Sequence, residues 1–180
     1  LQLAKQSLSI RPDFASALSL AVSLEMMTGN HEDACKKIDK IFKNAETMFE
    51  TALGAAGAHN CGDLELAISN YEYVFNTAPH FSSWARNLYS YALVENGDFD
   101  KALKFFEVEL QKEHAFGGFS QTMYLLSAYI NKKRGNEKKA REFFDKQKSE
   151  DGKGKSANRI RGELSMLKNK GFIDELIDEL

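Results

Sequence analysis

Four histidines, His31, His59, His80 and His114, and two cysteines, Cys35 and Cys61, are the residues best suited to metal or nucleophilic chemistry. Their spacing supports neither. A zinc protease needs two histidines one helical turn apart, with a glutamate beside the first, and a zinc finger needs short cysteine and histidine pairs. The histidines here are scattered along the chain. No serine occupies a Gly-x-Ser-x-Gly elbow, the strand-to-helix turn that exposes a nucleophile. Ala115-Phe116-Gly117-Gly118-Phe119 is glycine-bearing but lacks the preceding strand and the lysine of a phosphate-binding loop. The paired acids, Glu107 with Glu109 and Asp174 with Glu175, read as solvated helix faces. Cys35 and Cys61 have no motif spacing and are expected to be free thiols in a reducing compartment. The sequence therefore predicts a non-enzymatic protein with no catalytic residue, no metal and no cofactor.

Charge is more informative in its distribution than in its sum of −2. Residues 130–170 carry 14 Lys and Arg against 6 Asp and Glu, whereas the stretch before them is acidic. A basic segment of that kind could meet nucleic acid or an anionic membrane. Glu137, Glu142 and Asp145 are interleaved among the bases. Nucleic-acid binding is disfavoured, and a solubilised terminal repeat is the expectation. No apolar run is long enough to cross a bilayer, and no signal peptide is evident. Cytoplasmic location is the expectation. The chain starts without methionine, partway through a helix pair, and so reads as a piece of a longer protein.

The elements that would position any site are clearest between Trp84 and Leu110. Leu88, Tyr91 and Ala92 recur at helical spacing, as do Ala102, Leu103, Phe106 and Leu110. Between the two runs stands Asn96-Gly97-Asp98. Glycine can take the left-handed conformation that ends a helix, and aspartate can cap the next one. The same device recurs at Gly29-Asn30, Gly62-Asp63 and Gly135-Asn136, with Ala34, Ala67, Ala102 and Ala140 each five residues after its glycine. Val22, Ala55, Ser90 and Ala128 lie seven residues before it, and Ile38, Tyr71, Phe106 and Phe144 nine after.

Spacings of 33, 35 and 38 residues between these glycines mark a repeat of one helix pair. The pattern resembles the tetratricopeptide repeat, over roughly residues 1 to 150. Pro12 and Pro79 match the proline that closes a pair in that family. The third and fourth units lack it, and the small residue late in the second helix is replaced by Ile41, Val74, Glu109 and Gln147. The resemblance implies an all-α, right-handed α-solenoid of antiparallel helix pairs. The expected organisation is one repeat domain over 1–180: a half repeat at 1–13, repeats at 14–46, 47–80, 81–116 and 117–150, and a degenerate repeat or cap at 156–180. Within it, helices are expected over Phe14–Thr28, Glu32–Lys43, Thr47–Asn60, Leu64–Thr77, Gln121–Arg134, Glu137–Lys148 and Ala157–Asn169. A loop is expected over 150–156, and Gly171 is read as a fifth turn.

In that family the first helices of successive pairs line a concave groove. Counting back from each glycine assigns Phe49, His59, Trp84, Asn87, Tyr91, Leu125, Tyr129 and Lys132 to a peptide-binding surface. Rings would supply contact area, and Asn87 could bond a peptide backbone. Trp84 and Tyr91 could equally be wedges between repeats. Some family members hold acidic C-termini of chaperones with a clamp of lysines, asparagines and arginine. The matching places here hold Ser19, Ser23, Ala52, Ala56 and Trp84, so that clamp is absent. The expected function is a scaffold holding a protein or peptide segment in the groove. The alternative is a regulatory or spacer array of a larger signalling protein, of the nucleotide-cyclase or winged-helix type. Association with a second copy is compatible with either.

Overall fold

A computed structural model describes residues 2–112, 118–150, 161–162 and 164–178. Helices α1 (Gln2–Ile10), α2 (Ala15–Met27), α3 (His31–Cys35), α4 (Ile38–Asn44), α5 (Met48–Cys61) and α6 (Leu64–Thr77) come first. Then follow α7 (Ser83–Glu95), α8 (Phe99–Leu110), α9 (Gly118–Lys133), α10 (Glu137–Glu150) and a last helix, α11 (Lys170–Asp178). No strand occurs among the described residues. The chain divides into two compact units: Leu1–Ala85 with Ser165–Lys168, and Arg86–Leu164 with Asn169–Leu180.

The four turns share one hydrogen-bonding scheme. Gly29, Gly62, Gly97 and Gly135 all have φ between 72° and 84°, where a side chain would be strained. Each glycine N–H bonds the carbonyl three residues back, and the next residue bonds the one five back. At the second turn these are Gly62 N to His59 O and Asp63 N to Ala58 O, at 2.9 and 3.0 Å. This paired closure is a Schellman motif, which satisfies carbonyls that the helix end leaves open. Ala34, Ala67, Ala102 and Ala140 are buried, as are the residues seven before each glycine. So are Ile41, Val74, Glu109 and Gln147, which means the late-helix position faces inward whatever fills it.

In the first unit, the small-residue run of α5 is where α4 packs. A Cβ on Gly54 would stand 2.8 Å from the Phe42 ring, and one on Gly57 2.6 Å from Ile38 Cδ1. Glycine at both positions is therefore what lets the two helices approach. The helix expected over Glu32–Lys43 is broken into α3 and α4. Lys37 is the cause. Its Nζ donates to the Asp33 carbonyl at 2.8 Å and to Glu25 at 2.7 Å, while its backbone N–H bonds Ala34 O instead. A side chain inserted into the i→i−4 ladder interrupts the helix at that point.

In the second unit, α7 packs on α8 through Tyr89 and Phe105, whose rings meet edge to face at 4.9 Å. Helix α9 packs on α8 and α10. It starts at Gly118, three residues before the expected Gln121. The helix expected to run to Asn169 does not: Leu164–Met166 is a turn, with Leu164 and Leu167 buried. Gly171 is not a fifth turn glycine but lies inside α11. Asn169 takes over as its cap, with Oδ1 accepting from Phe172 N at 3.2 Å. The loop expected over 150–156 falls, beyond Glu150, outside the described residues, as do Ile160 and residues 115–117 of the glycine-bearing linker.

Candidate functional site

Helix α5 begins with a capping box that the sequence reading passed over. Thr47 Oγ1 accepts from Glu50 N, and Glu50 reaches back to the Glu46 N–H at 3.0 Å. Ser16 Oγ of α2 donates to the other carboxylate oxygen at 2.6 Å. The Ser16 hydroxyl, with the Glu46 and Thr47 donors, holds the Glu50 carboxyl below its ordinary pKa despite its burial. The start of α5 is thereby pinned to α2. One residue before Glu50, Phe49 projects outward and is half exposed. Its ring meets Trp84 edge to face at 6.2 Å, and Phe81 meets Trp84 from another side at 6.3 Å. These three rings form a partly exposed aromatic cluster in the first unit. His59, at the other end of α5, is buried.

Asn87 lies one helical turn beyond Trp84 on α7, so the two share a helix face. Its Oδ1 is buried and has no hydrogen-bonding partner. In the second unit, Tyr91 and Leu125 are fully buried, Tyr129 is nearly so, and Lys132 is exposed. Tyr129 donates its hydroxyl to Glu175 at 2.7 Å, and its ring meets Phe172 at 6.3 Å. Lys133 lies 3.0 Å from the same carboxylate. The Tyr129 hydroxyl first, and Lys133 second, lower the Glu175 pKa. Of the eight residues expected to line a groove, Phe49, Trp84, Asn87 and Lys132 keep accessible surface, while His59, Tyr91, Leu125 and Tyr129 are packed.

Two expectations about reactive residues are corrected. Cys35 and Cys61 are not free thiols but a disulfide, with sulfurs 2.15 Å and Cα atoms 5.7 Å apart. Their sequence separation of 26 carries no signature. It is the pairing of α3 with α5 that brings them together. Glu109 is not on a solvated face. It is buried against Arg86, with Arg86 Nη1 to Oε1 at 2.6 Å, and Lys112 also donates to it. The signal was present in the repeat register, which puts Glu109 in the same inward slot as Ile41 and Val74. Glu107, its neighbour, is exposed as expected.

Some bases between 130 and 170 are engaged rather than presented as a patch. Arg134 bonds Asp100 at 2.8 Å, Lys133 meets Glu175, and Lys146 lies over the Tyr124 and Phe143 rings. The bases at 153, 155 and 159 lie outside the described residues. Among the described residues, no group of three His, Cys, Asp or Glu could hold a metal ion, and no helix is long and apolar enough to cross a membrane.

No protein-family model matches the sequence, and no curated protein matches it. Its fold does match a solved structure. The crystal structure of a tetratricopeptide repeat protein from Parabacteroides merdae ATCC 43184 superposes with a TM-score of 0.55 at 18% identity. The match covers 98% of this chain and 61% of that one, so the chain spans about three fifths of its neighbour's length. The fold is therefore that of an all-α tetratricopeptide-type helical repeat.

Proposed function

We propose that the chain is a non-enzymatic interaction module that holds an extended protein segment against the first helices of its pairs, anchored on α7. The observation that carries this reading is the unsatisfied Oδ1 of Asn87 one turn from the half-buried Trp84. A buried acceptor without a donor costs about 1–3 kcal/mol, and a backbone N–H from a bound peptide would remove that cost. Trp84, with Phe49 and Phe81 at its edges, offers the adjoining side chain a rigid apolar shelf.

A displayed library of random extended peptides provides the test, read by Trp84 fluorescence, since Trp84 is the single tryptophan. Asn87→Ala and Trp84→Ala should each weaken a selected peptide by about 2 kcal/mol, roughly 30-fold. Unchanged binding by both variants, with a stability loss of about 3–5 kcal/mol for Trp84→Ala, would make Trp84 a packing wedge and end the reading. The Cys35–Cys61 bridge bears on location. It supports an oxidising compartment over the cytoplasm expected from free thiols.

A further inference from the structure

Ser165–Lys168 groups with the first unit. Lys168 N donates to the carbonyl of Asn60, in the last turn of α5, at 3.2 Å. Asn60 adjoins His59, one of the expected groove positions. A few residues later, in the second unit, α11 lies on another such position. Phe172 meets the Tyr129 ring, Glu175 accepts the Tyr129 hydroxyl, and Phe172, Ile173 and Leu176 are buried.

We propose that α11 is an intramolecular ligand, and that the α9 surface it covers accepts a short amphipathic helix with the pattern Phe172-Ile173-x-Glu175-Leu176. The inference rests on the groove reading given above and specifies its partner at the α9 end. Three features make the docking reversible. A helix of nine residues is marginal on its own and holds its shape by leaning on a neighbour. Its polar contacts are peripheral, since the Glu175 and Lys133 side chains are each about half exposed. Its start is capped by its own Asn169, so it carries its N-terminal signal with it. A competing helix needs the same three apolar residues and one carboxylate aimed at Tyr129 and Lys133.

The probe is a labelled peptide of residues 168–178, titrated against the full chain by fluorescence anisotropy. Wild-type protein should bind it at least about 10-fold more weakly than the Phe172→Asp/Leu176→Asp variant, because the tethered copy competes at high effective concentration. Adding Tyr129→Ala to that variant should abolish binding. Hydrogen exchange on the wild type should show α11 amides exchanging at least about 10-fold faster than those of α9, as a segment that opens separately. Equal protection of α11 and α9 overturns the proposal. So does loss of the α9 and α10 helical signal in the double variant, because α11 would then be a fixed part of the core. A library peptide that binds at Trp84 while the α11 peptide binds neither protein sinks this inference alone and leaves the Trp84 reading standing.

Discussion

Replacing Arg86 by methionine tests the polar interior of the second unit. Arg86 and Glu109 are both nearly inaccessible and joined at 2.6 Å, whereas Lys112, the other base on Glu109, is half exposed. Arg86→Met removes the buried cation, keeps much of the side-chain volume, and leaves a carboxylate inside with one solvated partner. Stranding one member of a buried pair costs about 3–5 kcal/mol, and the remaining Lys112 contact puts Arg86→Met near 3. Glu109→Leu takes the carboxylate from beside the buried guanidinium and should also destabilise. The double variant removes both members, and replacing a buried pair with apolar residues is often neutral or stabilising. The two single losses should therefore fail to add, with a coupling well above the roughly 0.5 kcal/mol scatter of independent sites. With a urea m-value of about 2 kcal/mol/M, 3 kcal/mol lowers the midpoint by about 1.5 M. Urea titrations of the four proteins by circular dichroism at 222 nm make the measurement. Single variants at the wild-type midpoint, or a double variant whose loss equals the sum of the singles, would refute the buried-pair reasoning.

Two further outcomes follow from the first unit. Glu50 has its folded pKa below its ordinary value of 4.5, so its stabilising effect is fully present above that value and is lost as pH falls through the lower folded one. Glu50→Gln should accordingly cost about 1.5–3 kcal/mol at neutral pH, and its gap to wild type should close in denaturation curves taken below about pH 4.5. Reduction of the Cys35–Cys61 bridge, which closes a 26-residue separation, should cost about 3.5 kcal/mol by the loop-entropy relation. Urea midpoints with and without reductant check it, and identical midpoints would mean that the bridge contributes nothing to stability.

The helix pairs were legible because glycine is the one residue that takes the αL position without strain, and four of them stand in phase. Ala102 and its equivalents were legible for a related reason, since a small apolar residue recurring in phase marks a position that the fold buries. Lys37 was not, because a lysine in a helical pattern ordinarily points into water. Nothing local says that its ammonium will reach back to the Asp33 carbonyl and to Glu25. Cys35 and Cys61 escaped for want of long-range information, as their meeting depends on the packing of α3 against α5. Glu109 was hidden because a helix carboxylate ordinarily faces water, and nothing local says that Arg86 will meet it inside. The capping box at Thr47 and Glu50 was present as a local signature and simply went unused. Of the surface positions, counting from the glycines ranked side chains by helix phase. It could not anticipate that the chain's own α11 would cover Tyr129, since that depends on where the C-terminal segment docks.

The uniform closure of the four turns has a consequence for how such a chain can change length. Each turn is sealed by backbone groups of its own helix end and demands only a glycine from the sequence. Cutting the gene after Gly62 and rejoining it before Asp98 would leave a Gly-Asp junction indistinguishable from the two it replaced. The deletion of 35 residues would remove one whole module without creating a new kind of joint. Insertion works the same way in reverse. Slippage or unequal crossing-over within the coding sequence can therefore add or subtract complete pairs.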